Sequence, residues 1–287
     1  MAAKKTPPRE EEEEKKEEDL THVDPEHDVK MTIWEHIGEL RKRLMRAAAF
    51  VLIGTIACWT FKEKLLGWIA QPFVTAWALR FPGKDAPPPE LMGIAPHDIL
   101  VNYMSLSLVG GIILSAPMIF YQLWAFISPG LYAREKKYVY PFVFFSTSLF
   151  LSGVAFAYYL AFPAMMSYLL SLNGDIQAGE IALHLTTRPT MELFLDFSTR
   201  MLLMFGAVFE MPLFIAFLAL AGIVTPKQLV RFSRWAIIGS FVVAAIVTPT
   251  PDIFNQCIVA GALVVLYFFS VGLAFVVAKK KPKEEKS

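Results

Sequence analysis

Met201–Leu220 reads MLLMFGAVFEMPLFIAFLAL, twenty residues with one charge, Glu210, and one proline, Pro212. A helix needs about 20 apolar residues to cross the hydrocarbon of a bilayer. In that medium backbone polar groups must be bonded within the protein, and a carboxylate or a broken ladder is expensive. The two exceptions to the apolar rule are therefore the informative residues. Glu210 survives there only if protonated, hydrated or paired. A neutral acid bonded inside a bundle, a polar contact for another subunit's helix, and a wet cavity all satisfy that condition. Pro212 has no N–H and leaves the carbonyl of Val208 without its usual partner, so the polar spot includes backbone.

Outward from this run, residues 44–278 form a nearly unbroken series of apolar segments. Spans are expected at Leu44–Phe61, Ile99–Ile127, Val139–Pro163, Leu193–Leu220, Trp235–Val247 and Ile253–Ala278. The fifth is short. Either its helix borrows neighbouring residues or the bilayer thins beside it, and thinning near the fifth and sixth helices is the expectation. The composition agrees, with 55% apolar and 18% charged residues. The charges crowd into the N-terminal segment, the short loops and the C-terminal end. Residues 1–30 read as a disordered, charged cytoplasmic tail, 31–278 as a six-helix membrane domain, and 279–287 as a basic cytoplasmic tail. The acidic block Glu10–Glu14 and Glu17–Asp19 lacks the basic start and apolar core of a cleavable signal.

Basic residues set the orientation. Arg41, Lys42, Arg43 and Arg46 share one side with Arg134, Lys136 and Lys137, with Lys227, Arg231 and Arg234, and with Lys279–Lys281. The opposite loops are longer, and their cations are fewer or offset by acids. Both termini are therefore expected in the cytoplasm. The fold class is all-α, a polytopic membrane protein with six transmembrane helices in a cupped, kinked bundle. Pro117, Pro141 and Pro212 are expected to bend their helices. Ser107, Gly111 and Ser115 recur every four residues and give the second span a face for close packing. Thr32 to Glu35 is a capping box. It starts an interfacial helix with Ile33, Ile37, Leu40 and Leu44 on one face, running into the first span. Pro226 is read as the first residue of a cytoplasmic helix. Ser128–Gly130 is expected to stop the second span, Thr248–Asp252 to turn tightly between the fifth and sixth, and Lys84–Pro96 to form a stiff excursion.

Several chemistries find no support. Gly-x-Ser, His-Glu-x-x-His and phosphate-loop patterns are missing from the sequence, which argues against an intramembrane enzyme. The five histidines show no ligand spacing, and Cys58 and Cys257 read as small buried hydrophobes. No catalytic residue, metal, cofactor or nucleic-acid partner is expected. Three other groups of polar residues stand out. Glu39 and Glu135 lie among cations on the cytoplasmic side. Each is satisfied locally by Arg43, or by Lys136 or Lys137, but two carboxylates there could also grip guanidinium groups through paired N–H bonds. Asp196 and Arg200, four apart, read as an interfacial ion pair. Asp252 reads as a helix-start acid, and Gln256, one turn further on, as an interhelical contact.

Four separated motifs carry a resemblance. They are His36–Leu44 (HIGELRKRL); Leu114–Pro117 with Tyr121–Tyr132 (YQLWAFISPGLY), ending at Glu135; Phe205-Gly206 with Phe209–Pro212 (FEMP); and Thr248-Pro249 through Asp252, Ile253, Phe254 and Gln256. In order and across every span, this resembles TatC, the core subunit of the twin-arginine protein translocase. The resemblance implies a receptor that takes twin-arginine signal peptides at the cytoplasmic face of a bacterial inner membrane. Folded proteins would then be exported on the proton-motive force. It implies that Glu39 and Glu135 bind the arginines, and that Arg41, Phe126 and Tyr132 shape that surface. Glu210 would meet signal or partner helices, and Pro72 would match a proline of the first periplasmic loop. Implied partners are single-span TatA- and TatB-type subunits, other TatC copies, and the lipid bilayer. The alternative is a proton-coupled secondary transporter with Glu210 as its ion site.

Overall fold

The computed structural model describes residues 33–83, 88–127, 139–178, 181–185, 188–247 and 253–278. The chain divides into two compact units, Met1–Arg41 and Lys42–Ser287. The first contributes the opening turns of α1 (Ile33–Thr60), where Trp34, Ile37 and Leu40 are exposed apolar residues. That helix starts where the capping signal put it, although Thr32 itself lies outside the described residues.

The second unit is helical, with one small hairpin. Its elements are α2 (Lys62–Arg80), α3 (Asp98–Leu114), α4 (Ala116–Ile127), α5 (Val139–Phe156), a π turn at Ala157–Ala161, and α6 (Phe162–Ser171). Strands β1 (Gly174–Ala178) and β2 (Ile181–Leu185) follow, then α7 (Met191–Phe209), α8 (Met211–Leu220), α9 (Pro226–Val247) and α10 (Ile253–Ala278). Five runs among the described residues are long and apolar enough to cross a membrane, and the bent pair α3–α4 makes a sixth. The protein is a multi-pass, all-α membrane protein. The antiparallel hairpin, which pairs Gly174 with Leu185 and Ile176 with Leu183, is an addition that sequence periodicity did not announce.

Proline explains most of the breaks. At Ser115 the chain bends by 57° between α3 and α4, one residue into which lies Pro117. At Glu210 the ladder is interrupted ahead of Pro212, which occupies the first turn of α8. Pro141 lies two residues inside the described part of α5, and the residues that precede α5 lie outside the described residues. The third span also runs past Pro163, to Ser171, because the π turn widens the helix just before that proline and accommodates its ring. Its 32 residues reach about 48 Å, well beyond a hydrocarbon core of about 30 Å, so one end projects from the membrane.

That end is covered by α2, an element expected only as loop. Ile69, Pro72, Phe73, Ala76 and Trp77 are buried on one face of α2, which packs on α6. Trp68 stacks on Tyr158 at 4.1 Å between ring centres, and the Tyr158 hydroxyl donates to the Trp68 carbonyl at 2.7 Å. Arg80, in the last turn, donates to the Asn173 carbonyl at 2.9 Å. The loop before α3 is pinned as well. The Met92 carbonyl accepts from Met191, and the Asp98 carboxylate accepts from the Ile94 and Ala95 amides.

The main core lies among α2, α5, α6 and α7, with Ile69, Met165, Leu195, Met201 and Phe205 fully buried. A smaller cluster of Ile215, Leu229, Tyr267 and Val271 joins α8, α9 and α10. Outward-facing Ile53, Ile246 and Val265 are strongly exposed, the pattern of a bundle whose solvent is lipid. The Ser107–Gly111–Ser115 face is buried as expected. A Cβ on Gly111 would stand 2.5 Å from the Thr55 amide of α1, and Ser115 donates to the Phe50 carbonyl at 2.8 Å. Both cysteines are free thiols. Cys58 is buried, but Cys257 is exposed rather than buried.

The fifth span borrows its neighbours. Pro226–Val247 is one continuous helix of 22 residues, so the helix expected to start at Pro226 and the fifth span are a single element. Its start is a reciprocal cap. The Gln228 side chain accepts from the Thr225 amide at 2.8 Å, and the Thr225 hydroxyl accepts from the Gln228 amide at 3.3 Å. Just before it, Gly222 takes φ 76° and closes α8, with Ile223 donating to Leu218 and Gly222 to Ala219.

Candidate functional site

The membrane-embedded site is built where α7 gives way to α8. Glu210 occupies the junction, with φ −73° and ψ −16°. Its amide turns back to Ala207 at 3.1 Å, and its carbonyl accepts from Phe214 at 3.0 Å, so the backbone stays bonded on both sides of the break. Pro212 is fully buried and fixes the turn. The half-buried Glu210 side chain faces the Ser146 hydroxyl and the Phe150 backbone of α5. One carboxyl oxygen, Oε1, is buried and has no hydrogen-bond partner among the described residues.

The surroundings hold that geometry. Ser146 is completely buried and accepts from the Trp124 indole N–H of α4 at 2.7 Å. Trp124 packs against Phe142 and Phe217, with ring centres at 4.5 and 5.3 Å, so α4, α5 and α8 meet around one aromatic cluster. Two turns past Ser146 along α5, a Cβ on Gly153 would collide with the Phe205 carbonyl and stand 2.9 Å from Phe209 Cβ. The bare backbone at Gly153 lets α7 approach closely enough to bring Glu210 to Ser146. An acid in this setting can be neutral, or can accept a donor that another molecule brings.

Gln256 lies on α10 and donates to the Phe241 carbonyl of α9 at 3.1 Å, the interhelical contact its position suggested. Pro72 is buried in α2 and belongs to the cap over α6, away from any polar cluster. Asp196 and Arg200 form the ion pair expected of them, at 2.6 Å. Of the residues expected to face the cytoplasm, Glu39 is half-buried on α1, Arg41 is exposed on the same helix, and Phe126 is half-buried near the end of α4. Tyr132, Glu135 and Asp252 lie outside the described residues, as do Ser128–Gly130 and Thr248–Asp252.

Sequence reasoning did not single out Ser146 or Trp124 as parts of the site. The signal was present in the indole. A tryptophan N–H within a span needs an acceptor. Serine hides easily, because in a span it can bond back to its own helix, as Ser148 does to Phe144.

Residues 35–261 match the family model for Sec-independent protein translocase protein (TatC). The chain is 34% identical to the TatC of Koribacter versatilis over 256 residues, covering 89% of each sequence. It is 35% identical to that of Helicobacter pylori strain J99, covering 85% of this chain and 87% of the relative. It is 32% identical to that of Aquifex aeolicus, covering 90% of this chain and all of the relative. Its fold is similar to a solved structure described as the twin arginine translocase receptor TatC, with a TM-score of 0.70 and 31% identity over 84% of this chain and 99% of the other. Matched along nearly its whole membrane domain by sequence and by fold, the chain belongs to the TatC family of Sec-independent protein translocase proteins.

Proposed function

We propose that this chain is the signal-receiving core of a twin-arginine translocase in a bacterial inner membrane, with both termini in the cytoplasm. The observation that carries the reading is the likeness, over most of both chains, to a solved protein described as a twin arginine translocase receptor. Glu39 and Glu135 would hold the two arginines of a cargo signal, since a carboxylate can accept paired N–H bonds from a guanidinium. Arg41, Phe126 and Tyr132 would shape that surface. Glu210, with one oxygen unpartnered among the described residues, would accept a polar group from a signal or partner helix. TatA- and TatB-type subunits and further TatC copies would complete the machine, driven by the proton-motive force.

The test is crosslinking of a twin-arginine peptide to photoreactive residues placed beside Glu39 and Glu135 in the full chain. Adducts at both positions, competed by unlabelled peptide, are expected. Their absence would overturn the receptor role and favour the proton-coupled transporter, with Glu210 as its ion site.

A further inference from the structure

A cavity of about 230 Å³, open on one side, lies among the end of α1, the start of α2 and the second half of α3, with Val154 of α5 and Leu202 of α7 also lining it. Its wall is apolar and includes Cys58, Leu65, Trp68, Leu106, Gly110 and Ile113. Leu65 is in the first turn of α2, just past the α1 end, where the first expected span finishes. On α3 the lining continues from Leu106 to Leu114, about 12 Å along the axis, toward the middle of the span expected over residues 99–127. The crevice therefore runs from the interface toward the bilayer centre, as a lipid chain does.

Cations stand within a turn of the lining on α2. Lys62 precedes Leu65 by one turn on α2, and its ammonium stands 5.1 Å from the Trp59 ring and 5.9 Å from the Tyr103 ring. Tyr103 is in turn one turn before Leu106 on α3. Two aromatic rings thus hold a half-buried ammonium within one helical turn of the crevice lining. Lys64 lies beside it, 5.8 Å from the Phe61 ring. Neither lysine has a carboxylate partner among the described residues, and Glu63 between them is exposed. The volume selects the occupant. A helix about 10 Å across would need several times this space, whereas a single acyl chain fits. An unneutralised ammonium at headgroup level favours an anionic phosphate over a zwitterion that carries its own cation.

We propose that this crevice binds an anionic phospholipid, with one acyl chain along Leu106 and Gly110 and the phosphate against Lys62. The test uses the purified full chain in nanodiscs of phosphatidylcholine doped with phosphatidylglycerol bearing a diazirine on one acyl chain. After irradiation, peptide mapping should find adducts concentrated on residues 58–68 and 106–113. Lys62→Gln should lower those adducts about fivefold with labelling elsewhere unchanged, and Lys62→Arg should retain them. Val109→Phe, which narrows the cavity, should lower them as well. The same probe on phosphatidylcholine should label the crevice less than phosphatidylglycerol does, a comparison that needs only the unaltered chain. Even labelling over the whole lipid-facing surface, equal labelling by the two lipids, or crevice adducts indifferent to Lys62→Gln would overturn the proposal.

Discussion

Glu210 shows what one residue can and cannot announce. A lone carboxylate in a span marks a polar spot, but its meaning depends on what faces it. Here one carboxyl oxygen lies buried without a partner among the described residues, while the Ser146 hydroxyl facing the carboxyl accepts from the Trp124 indole and keeps its own O–H to donate. Ser146→Ala would leave a buried indole N–H unpaired, at a cost of about 1–3 kcal/mol. We expect a lower melting temperature in detergent, and an unchanged one would remove Ser146 from the support of this site. Glu210→Ala should weaken association with single-span partner subunits more than capture of signal peptide. Co-purification and peptide binding measured on the same variant check that division, and equal losses contradict it. At the cytoplasmic face, Glu135→Ala should weaken twin-arginine peptide binding by about 10- to 100-fold, the worth of a charge-assisted contact, without loss of helicity. Lysines in place of the peptide arginines should also cost affinity, because an ammonium lacks the planar fork. Titration calorimetry on both pairs decides this.

Among the elements, those with a steady apolar period were legible and those with mixed faces were not. The α2 helix carries its buried residues at 69, 72, 73, 76 and 77, an amphipathic spacing. Its exposed side also carries Trp68, Val74 and Leu79, so the sequence shows little contrast between its faces, and the segment was expected as loop. The α9 helix is long enough overall, yet Lys227, Arg231 and Arg234 fall in its first turns, so the uncharged part begins at Trp235. From there to Val247 it spans about 20 Å, short of a core of about 30 Å. Headgroup phosphates resolved around the protein in a nanodisc should lie closer together across the membrane beside α9 and α10 than elsewhere. Uniform separation would show that the lysine and arginine side chains reach the surface unaided. The α1–α3 crossing depends on the lack of a side chain at Gly111, whose Cβ would meet the Thr55 backbone. Gly111→Val should force the helices apart at a cost of about 1–3 kcal/mol, read as a lower melting temperature.

At the scale of the whole molecule, the expected orientation has a direct test. Single cysteines at residue 35 and in the β1–β2 hairpin should react with a membrane-impermeant maleimide from opposite sides of sealed vesicles. Labelling of both from one side would refute the three crossings expected between them. Much of this protein was legible in its sequence. In hydrocarbon, length, apolarity and the placement of cations leave few solutions, so the spans, their number and the kinks at Pro117 and Pro212 follow from the chain itself. The four motifs, read in order, indicated the family. Sequence also pointed to Glu210, because a charge in a span is costly wherever it sits. The tertiary structure alone decided its neighbours Ser146 and Trp124, the docking of α2 over the projecting end of the third span, and the apolar crevice under Lys62. These depend on which faces meet across different helices, and the period of a single helix carries no information about its partner's register or distance.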